Sequence, residues 1–199
     1  MKQTIVEKVV QAHMTQGPSR FVRAGDMVSL HPRHVLTHDN TAAVLKKFRA
    51  LGGQHVFDAT QPVFALDHEI QNVSPENLAK YAEIESFAHA EGIAFHPAGA
   101  GIGHQLMIEN GFVLPGSLVV ASDSHANMYG ALGAVGTPVV RTDAAAIWAT
   151  GEFWWQVPRT VQVVLEGNLC KGVSGKDVIL TLCGSYYNDE VLNAALEFT

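Results

Sequence analysis

Short apolar segments alternate with amphipathic segments along most of this chain. Apolar residues four positions apart within residues 4–14 predict an amphipathic helix. Ser74 followed by Pro75 predicts the N-cap and first residue of another helix, which Gly92 ends. The alternation predicts an α/β fold, specifically a three-layer α/β/α sandwich with a mostly parallel sheet.

The predicted strands are short and apolar on both faces, which is typical of parallel strands covered by helices. Their positions are 27–30, 55–57, 62–66, 93–95, a run beginning at Leu118, and 160–165. Further helices are predicted at 41–50 with Asn40-Thr41 as the cap, up to Glu109 after the glycine-rich loop, at 142–150, and from Ser174 and Asp189. The final residues 196–199 read as helical, so we expect the chain to continue beyond them.

Composition and charge indicate which classes of protein this chain does not resemble. With 199 residues, 47% of them hydrophobic, the chain can bury a core as one domain, residues 1–199. A net charge of −6 without a basic run disfavours nucleic-acid binding. No apolar stretch is long enough to cross a membrane and no signal peptide is visible, so we expect a cytoplasmic protein, with the mitochondrial matrix as the alternative.

Two apolar runs each end in an acid and an imidazole. Residues 119–121 lead into Asp123, Ser124 and His125, and residues 62–66 lead into Asp67 and His68. Because open α/β sheets bind ligands at the carboxyl ends of their strands, we expect these residues to share one edge. Such pairs suit proton transfer. One pair alone would more often be a structural hydrogen bond, and that interpretation stays open.

The glycine-rich loop 99–104 allows a ligand to approach the backbone closely and presents His104 at the start of a helix. It lacks the glycine spacing of a dinucleotide site. Ser124 and His125 do not predict a nucleophile and base, because adjacent side chains on an extended backbone point in opposite directions.

Seven motifs, in this order and at this spacing, resemble the amino-terminal part of the aconitase / isopropylmalate isomerase family. They are Leu66-Asp67-His68, residues 99–105 (GAGIGHQ), Leu114-Pro115-Gly116, Ser122-Asp123-Ser124-His125, residues 130–133 (GALG), Ala149-Thr150-Gly151 and residues 175–180 (GKDVIL). The resemblance covers residues 4–199. Residues 127–130, 143–151, 154–155 and 173–177 are most similar to the homoaconitase branch, and Ala126 departs from the Thr or Ser usual there.

The resemblance implies a hydro-lyase that isomerises a 2-hydroxy tri- or dicarboxylic acid by dehydration and rehydration; in the homoaconitase branch this is homocitrate and homoisocitrate through cis-homoaconitate. It implies a [4Fe-4S] cluster that acts as a Lewis acid in the complete protein. By motif position, Asp67, His68, His104, Asp123 and His125 are the implied catalytic residues. His38 and Ser124 are the implied substrate-binding residues.

The two cysteines, Cys170 and Cys183, do not match the family's cluster cysteines, which lie in later segments. We therefore expect a fragment of a larger protein that lacks a cofactor and activity by itself. Its expected partners are a small carboxylic acid, a downstream cluster-bearing domain and a swivel domain or small subunit. Two other classes stay open: a module binding an acid, or a mononuclear metal through His68, His104, Asp123 and His125, and a non-catalytic docking half.

Overall fold

The computed structural model describes residues 2–199. Its helices are α1 (Ile5–His13), α2 (Thr41–Ala50), α3 (Pro75–Glu91), α4 (Gly103–Glu109), a 3₁₀ helix (Ala126–Leu132), α5 (Arg141–Thr150) and α6 (Gly175–Ser185). Its strands are β1 (Met14–Gln16), β2 (Met27–Leu30), β3 (His34–Thr37), β4 (Pro62–Ala65), β5 (Ala94–His96), β6 (Leu118–Ala121), β7 (Val135–Pro138), β8 (Phe153–Gln156), β9 (Arg159–Val163) and β10 (Ala194–Phe198).

A five-stranded parallel sheet with the order β5-β4-β3-β6-β7 forms the centre of the fold. Every residue of β4 and β6 is buried, as expected for strands covered on both faces. One core, which includes Val44, Ile84 and Ala144, packs helices α2, α3 and α5 on one face. A second core packs α4 and the 3₁₀ helix on the other through Met107 and Tyr129. The predicted three-layer α/β/α fold is confirmed.

Local signals set the ends of the longest helix as predicted. The Ser74 hydroxyl accepts a hydrogen bond from the Asn77 N–H at 3.3 Å. Gly92 ends the helix with a φ of 75°, a left-handed conformation that favours glycine.

Three expectations about individual elements were wrong. Residues 55–57 form a loop rather than a strand. The backbone N–H of Val56 donates to the Glu91 carboxylate and that of Phe57 to the Trp148 carbonyl, so neither pairs with a strand. Asp189 begins no helix; residues 194–198 form a strand parallel to β9, in a two-stranded sheet apart from the central one. The Asn40 side chain does not cap α2 but donates to Ser122.

The carboxyl-terminal part of the chain contributes little to either core. No residue of α6 is buried, and apolar side chains nearby, including Leu165, Leu169, Leu180 and Leu192, are exposed. Among residues 2–199, no helix combines the length and apolar character needed to span a bilayer.

Candidate active site

Three neighbouring strands at the centre of the sheet end at the same edge and deliver the polar side chains. β4 is followed by Asp67 and His68, β3 by His38, and β6 by Asp123. α4 begins over this edge and contributes a further imidazole. The structure thereby brings together all the residues singled out in the sequence: His38, Asp67, His68, His104, Asp123, Ser124 and His125.

Asp67 and His68 form a short hydrogen-bonded pair. The two side chains meet at 2.5 Å between His68 Nδ1 and Asp67 Oδ1. Because a carboxylate can only accept, Nδ1 carries the proton. The Nε2 atom of His68 makes no hydrogen bond to any residue in the range 2–199. The other Asp67 oxygen accepts the Gly103 N–H at 2.6 Å. A Cβ at position 103 would lie 3.0 Å from that oxygen, so glycine permits this close approach.

Asp39 holds the loop that presents His68. Its carboxylate accepts the backbone N–H groups of Asp67, His68 and Glu69 at 3.0, 2.8 and 3.1 Å, and also the Tyr81 hydroxyl. Burial alone would raise the pKa of Asp39, but the hydrogen bonds from Tyr81 and the backbone outweigh it and lower the pKa to about 2. Asp39 is therefore an ionised anchor of this loop.

The His38 ring stacks on the His68 ring, with centroids 4.0 Å apart and planes inclined by 22°. Burial and the nearby His68 lower the pKa of His38, so its neutral form is favoured. Its Nδ1 has no hydrogen-bond partner among residues 2–199.

Asp123 accepts hydrogen bonds from two imidazoles. Its Oδ2 lies 2.9 Å from His104 Nε2 and 3.0 Å from His125 Nδ1, and its Oδ1 accepts the His125 N–H at 2.8 Å. Burial would raise the pKa of Asp123, yet the hydrogen bonds from His104 and His125 lower it to about 2. Asp123 therefore stays ionised and fixes both rings.

The two imidazoles on Asp123 differ in what remains free. His104 also meets the Tyr129 hydroxyl at 2.7 Å through Nδ1, and its side chain is only 12% exposed. Burial and the Asp123 charge raise the pKa of Tyr129, so the hydroxyl keeps its proton and donates it to Nδ1. The His125 side chain is 75% exposed, and its Nε2 makes no hydrogen bond among residues 2–199. Sequence reasoning missed Tyr129, although it lies within a motif that carried the family resemblance.

Ser124 and His125 are closer than the sequence suggested. The Ser124 Oγ lies 3.5 Å from His125 Nδ1, because the backbone bends after β6 and is no longer extended. Nδ1 already donates to Asp123, so it has no lone pair to accept the serine proton. The hydrogen bond from His125 to Asp123 is therefore what prevents His125 Nδ1 from acting as a base toward Ser124. The side chains do not point in opposite directions, as the sequence suggested.

The site has two halves, one formed by His38, Asp67 and His68 and the other by His104, Asp123 and His125. An open pocket of about 570 Å³ adjoins both, at His38 and at Asp123. His38, Asn40, Ser122 and Asp123 border it, as do Lys47 of α2 and residues 139–142 at the start of α5. The Asn40 amide donates to the Ser122 carbonyl at 2.6 Å and ties the end of β6 to the segment after β3. The two halves thus share one cavity.

The possible metal ligands fall into two groups, each with ligand atoms within 4.8 Å of one another. One contains His38, Asp39, Asp67 and His68, and the other His104, Asp123 and His125. The suggested mononuclear set is therefore split, since His68 lies in the other group. Within residues 2–199 neither group includes a thiolate, and both cysteines are exposed. These donors do not suit an iron–sulfur cluster, which needs thiolates.

Residues 7–199 match the Aconitase family (aconitate hydratase). The chain is 56% identical over 195 residues to "Homoaconitase, mitochondrial" of Mycosarcoma maydis, covering 98% of the chain and 27% of that relative. The protein of the same name from Yarrowia lipolytica is 55% identical over 197 residues, covering 98% of the chain and 29% of the relative. In Neurospora crassa the identity is 53% over 198 residues, with coverages of 99% and 25%.

The chain thus spans about 27% of the length of the first of these relatives. The names of these relatives describe them as mitochondrial, so the expectation of a cytoplasmic protein has no support. The match extends over nearly the whole chain and includes every strand of the central sheet. The chain belongs to the Aconitase family.

Proposed function

We propose that this chain is the amino-terminal domain of a longer hydro-lyase that isomerises a 2-hydroxy tri- or dicarboxylic acid by removing and re-adding water. The relatives' names favour homocitrate and homoisocitrate, interconverted through cis-homoaconitate. Citrate and 3-isopropylmalate are the alternatives within the same family. The same names favour the mitochondrial matrix as its location.

One observation carries the proposal: two imidazoles at one edge of the sheet are each oriented by a carboxylate through Nδ1, with Nε2 free. Loss of a hydroxyl as water needs an acid that protonates the departing oxygen, and rehydration needs the same group to take a proton back. His125 with Asp123 fills this role, and His68 with Asp67 is the second oriented pair. Carboxylates that fix the ring also stabilise its protonated form.

The remaining site residues position these groups and the substrate. His104 has both ring nitrogens in hydrogen bonds, so it acts on the reaction through Asp123 rather than by moving a proton itself. His38 borders the pocket and Ser124 lies beside His125, which supports a role for both in binding the acid. Ser124 keeps a free hydroxyl proton for a substrate carboxylate.

The [4Fe-4S] cluster that family membership implies would be held by cysteines outside this segment. It supplies a Lewis acid for the substrate hydroxyl and a carboxylate. The exposed apolar side chains around α6 support contact with that cluster-bearing domain and with a swivel domain or small subunit.

The test uses the full-length, cluster-loaded protein with His125→Ala and His68→Ala. Each change should lower turnover about 10²- to 10⁴-fold, the usual contribution of general acid–base catalysis, and leave the cluster absorbance unchanged. His55→Ala is the matched control. His55 pairs with Glu91 at 3.0 Å in the same way, but it precedes β4 and so lies at the opposite end of the sheet. Variants that lost the cluster but kept normal turnover per remaining cluster would contradict the proposed roles.

A second candidate is a mononuclear metal site, favoured by the clustering of the His104, Asp123 and His125 ligand atoms. Titration of the cluster-free protein with Zn²⁺ distinguishes the two. Tight binding of one ion that Asp123→Asn abolishes would favour the metal site. Weak binding that Asp123→Asn leaves unchanged is expected for an acid–base site.

A further inference from the structure

Two cations border the pocket beside Asp123 without a carboxylate partner. Lys47 lies on α2 and Arg141 is the first residue of α5. Among residues 2–199, neither side chain makes a hydrogen bond or an ion pair. Four other cations form ion pairs: Arg20 with Asp26, Arg23 with Glu7, Arg49 with Glu83, and Lys80 with Glu69.

The edge of the sheet beside the pocket carries negative charge, which cations can offset. Asp123 borders the pocket and is ionised, and its neighbours Asp39 and Asp67 add negative charge at the same edge. A substrate with two or three carboxylates would be repelled from this edge unless positive groups faced it. Lys47 and Arg141 supply that charge within the cavity that Asp123 borders. Arginine can hold a carboxylate through two parallel hydrogen bonds.

The start of α5 adds to the same field. Its N-cap residue, Val140, has no side chain able to bind the first N–H groups, and Val140 and Thr142 also border the pocket. The first turn also contains one acid, Asp143, which does not border the pocket. Unsatisfied N–H groups and the helix dipole favour an anion at a helix amino terminus. By itself this would not define a site, but here it coincides with the cavity and both cations.

We propose that Lys47 and Arg141 bind the carboxylate of the substrate that lies farthest from the carbon bearing the hydroxyl. The proposal rests on the proposed function. His125 must reach the hydroxyl, and its partner Asp123 borders the pocket, so the part of the acid that enters the pocket lies further along the carbon skeleton. The two residues would thereby select acids by the length of the carbon chain between the hydroxyl and this carboxylate.

The test compares Arg141→Met and Lys47→Met in the full-length, cluster-loaded protein with Lys46→Met, which removes an exposed cation of the same helix that does not border the pocket. The binding probe is tricarballylate, a tricarboxylate without a hydroxyl, measured by calorimetry. Arg141→Met should raise its Kd about 10- to 100-fold, as expected for a charged hydrogen-bonded contact. Lys47→Met should act in the same direction and less strongly, Arg141→Lys should recover part of the affinity, and Lys46→Met should leave Kd unchanged.

Kinetics locate the contact on the substrate. With homoisocitrate, Arg141→Met should raise KM while kcat changes little, because binding is lost equally in the ground and transition states. With the analogue in which the distal carboxylate is a primary amide, Arg141→Met should cause no further loss. An equal loss with acid and amide, or an equal effect of Lys46→Met, would overturn the proposal.

The outcomes separate this proposal from the proposed function. If the wild-type protein turns over homoisocitrate and Arg141→Met matches it in both Kd and KM, the carboxylate subsite is wrong and the hydro-lyase stands. If tricarballylate binding depends on Arg141 but no hydroxy acid is dehydrated, the subsite stands and the proposed function is wrong.

Discussion

The two Asp–His pairs follow strands on either side of β3, yet they are built differently. Asp67 serves one imidazole, and its second oxygen is used by the Gly103 N–H. Asp123 serves two imidazoles, His104 and His125. Asp67 therefore orients one histidine only, whereas Asp123 orients two. An Asp and a His close together after a strand look alike in the two segments of the sequence, but the two acids orient different numbers of histidines.

The two histidines are also oriented from different places. Asp39 lies in the turn after β3 and fixes the His68 loop by accepting the N–H groups of Asp67, His68 and Glu69. Asp123 fixes His125 by itself, because it accepts both the ring and the backbone N–H. A change at Asp123 therefore disturbs position and charge together, and a change at Asp67 mainly disturbs one ring.

The largest expected effect comes from Asp123→Asn. The amide cannot accept all three hydrogen bonds that Asp123 accepts, because its NH2 group only donates, and it carries no charge. Turnover of the full-length protein should therefore fall about 10⁴-fold, the magnitude known for loss of the orienting carboxylate in a Ser-His-Asp triad. Asp67→Asn is the matched change and should cost less, about 10²-fold. Steady-state kinetics at constant cluster absorbance measure both. Equal losses would show that the two pairs are equivalent.

Asp39→Ala should lower turnover by about 10- to 100-fold, because it releases the loop that places His68. The effect should vanish in a His68→Ala background, where the position of the loop no longer matters. Full additivity of the two changes would mean that Asp39 acts elsewhere. Since the change leaves three N–H groups without their acceptor, the free energy of unfolding should also fall, by about 1–3 kcal/mol.

What the sequence could reveal follows from which contacts are local. β4 and β6 are apolar runs followed directly by the site acids, so both the strands and their chemistry are visible without a structure. α3 has its cap and its terminal glycine within the segment itself. These elements were predicted because each depends on neighbours in the chain.

The missed features depend on distant contacts. The central strand β3 has a polar residue at each end, His34 and Thr37, and is identified only by its pairing with β4 and β6. The loop anchor Asp39 acts across 28 to 30 positions of sequence. β10 looks helical in isolation and becomes a strand because β9 lies beside it. Nothing local distinguishes such positions from ordinary polar or amphipathic residues.

A smaller effect is expected from the two tyrosines that support the two halves. Tyr129 donates to His104, and Tyr81 donates to Asp39. Tyr129→Phe should lower kcat a few-fold and the free energy of unfolding by about 1 kcal/mol, the net value of one hydrogen bond. Tyr81→Phe should act only through His68, so it should have no effect on kcat in a His68→Ala background. If Tyr129→Phe also lost its effect in that background, the two halves would not be independent.

The smallest expected effect is the acid sensitivity of the two anchors. Asp39 and Asp123 have folded-state pKa values of about 2, below the ordinary 3.8, so each stabilises the fold above pH 3.8 and loses this contribution as the pH falls towards 2. One unit of pKa corresponds to about 1.4 kcal/mol, so the contribution of each carboxylate is on the order of 1 kcal/mol. Urea unfolding of the 199-residue chain at pH 6, 4 and 2.5 should therefore show a decline that Asp39→Asn and Asp123→Asn each reduce. Two equal reductions would mean that the anchors contribute alike to folding, and that the difference between the two halves lies in catalysis alone. A decline unchanged in both variants would contradict the depressed pKa values.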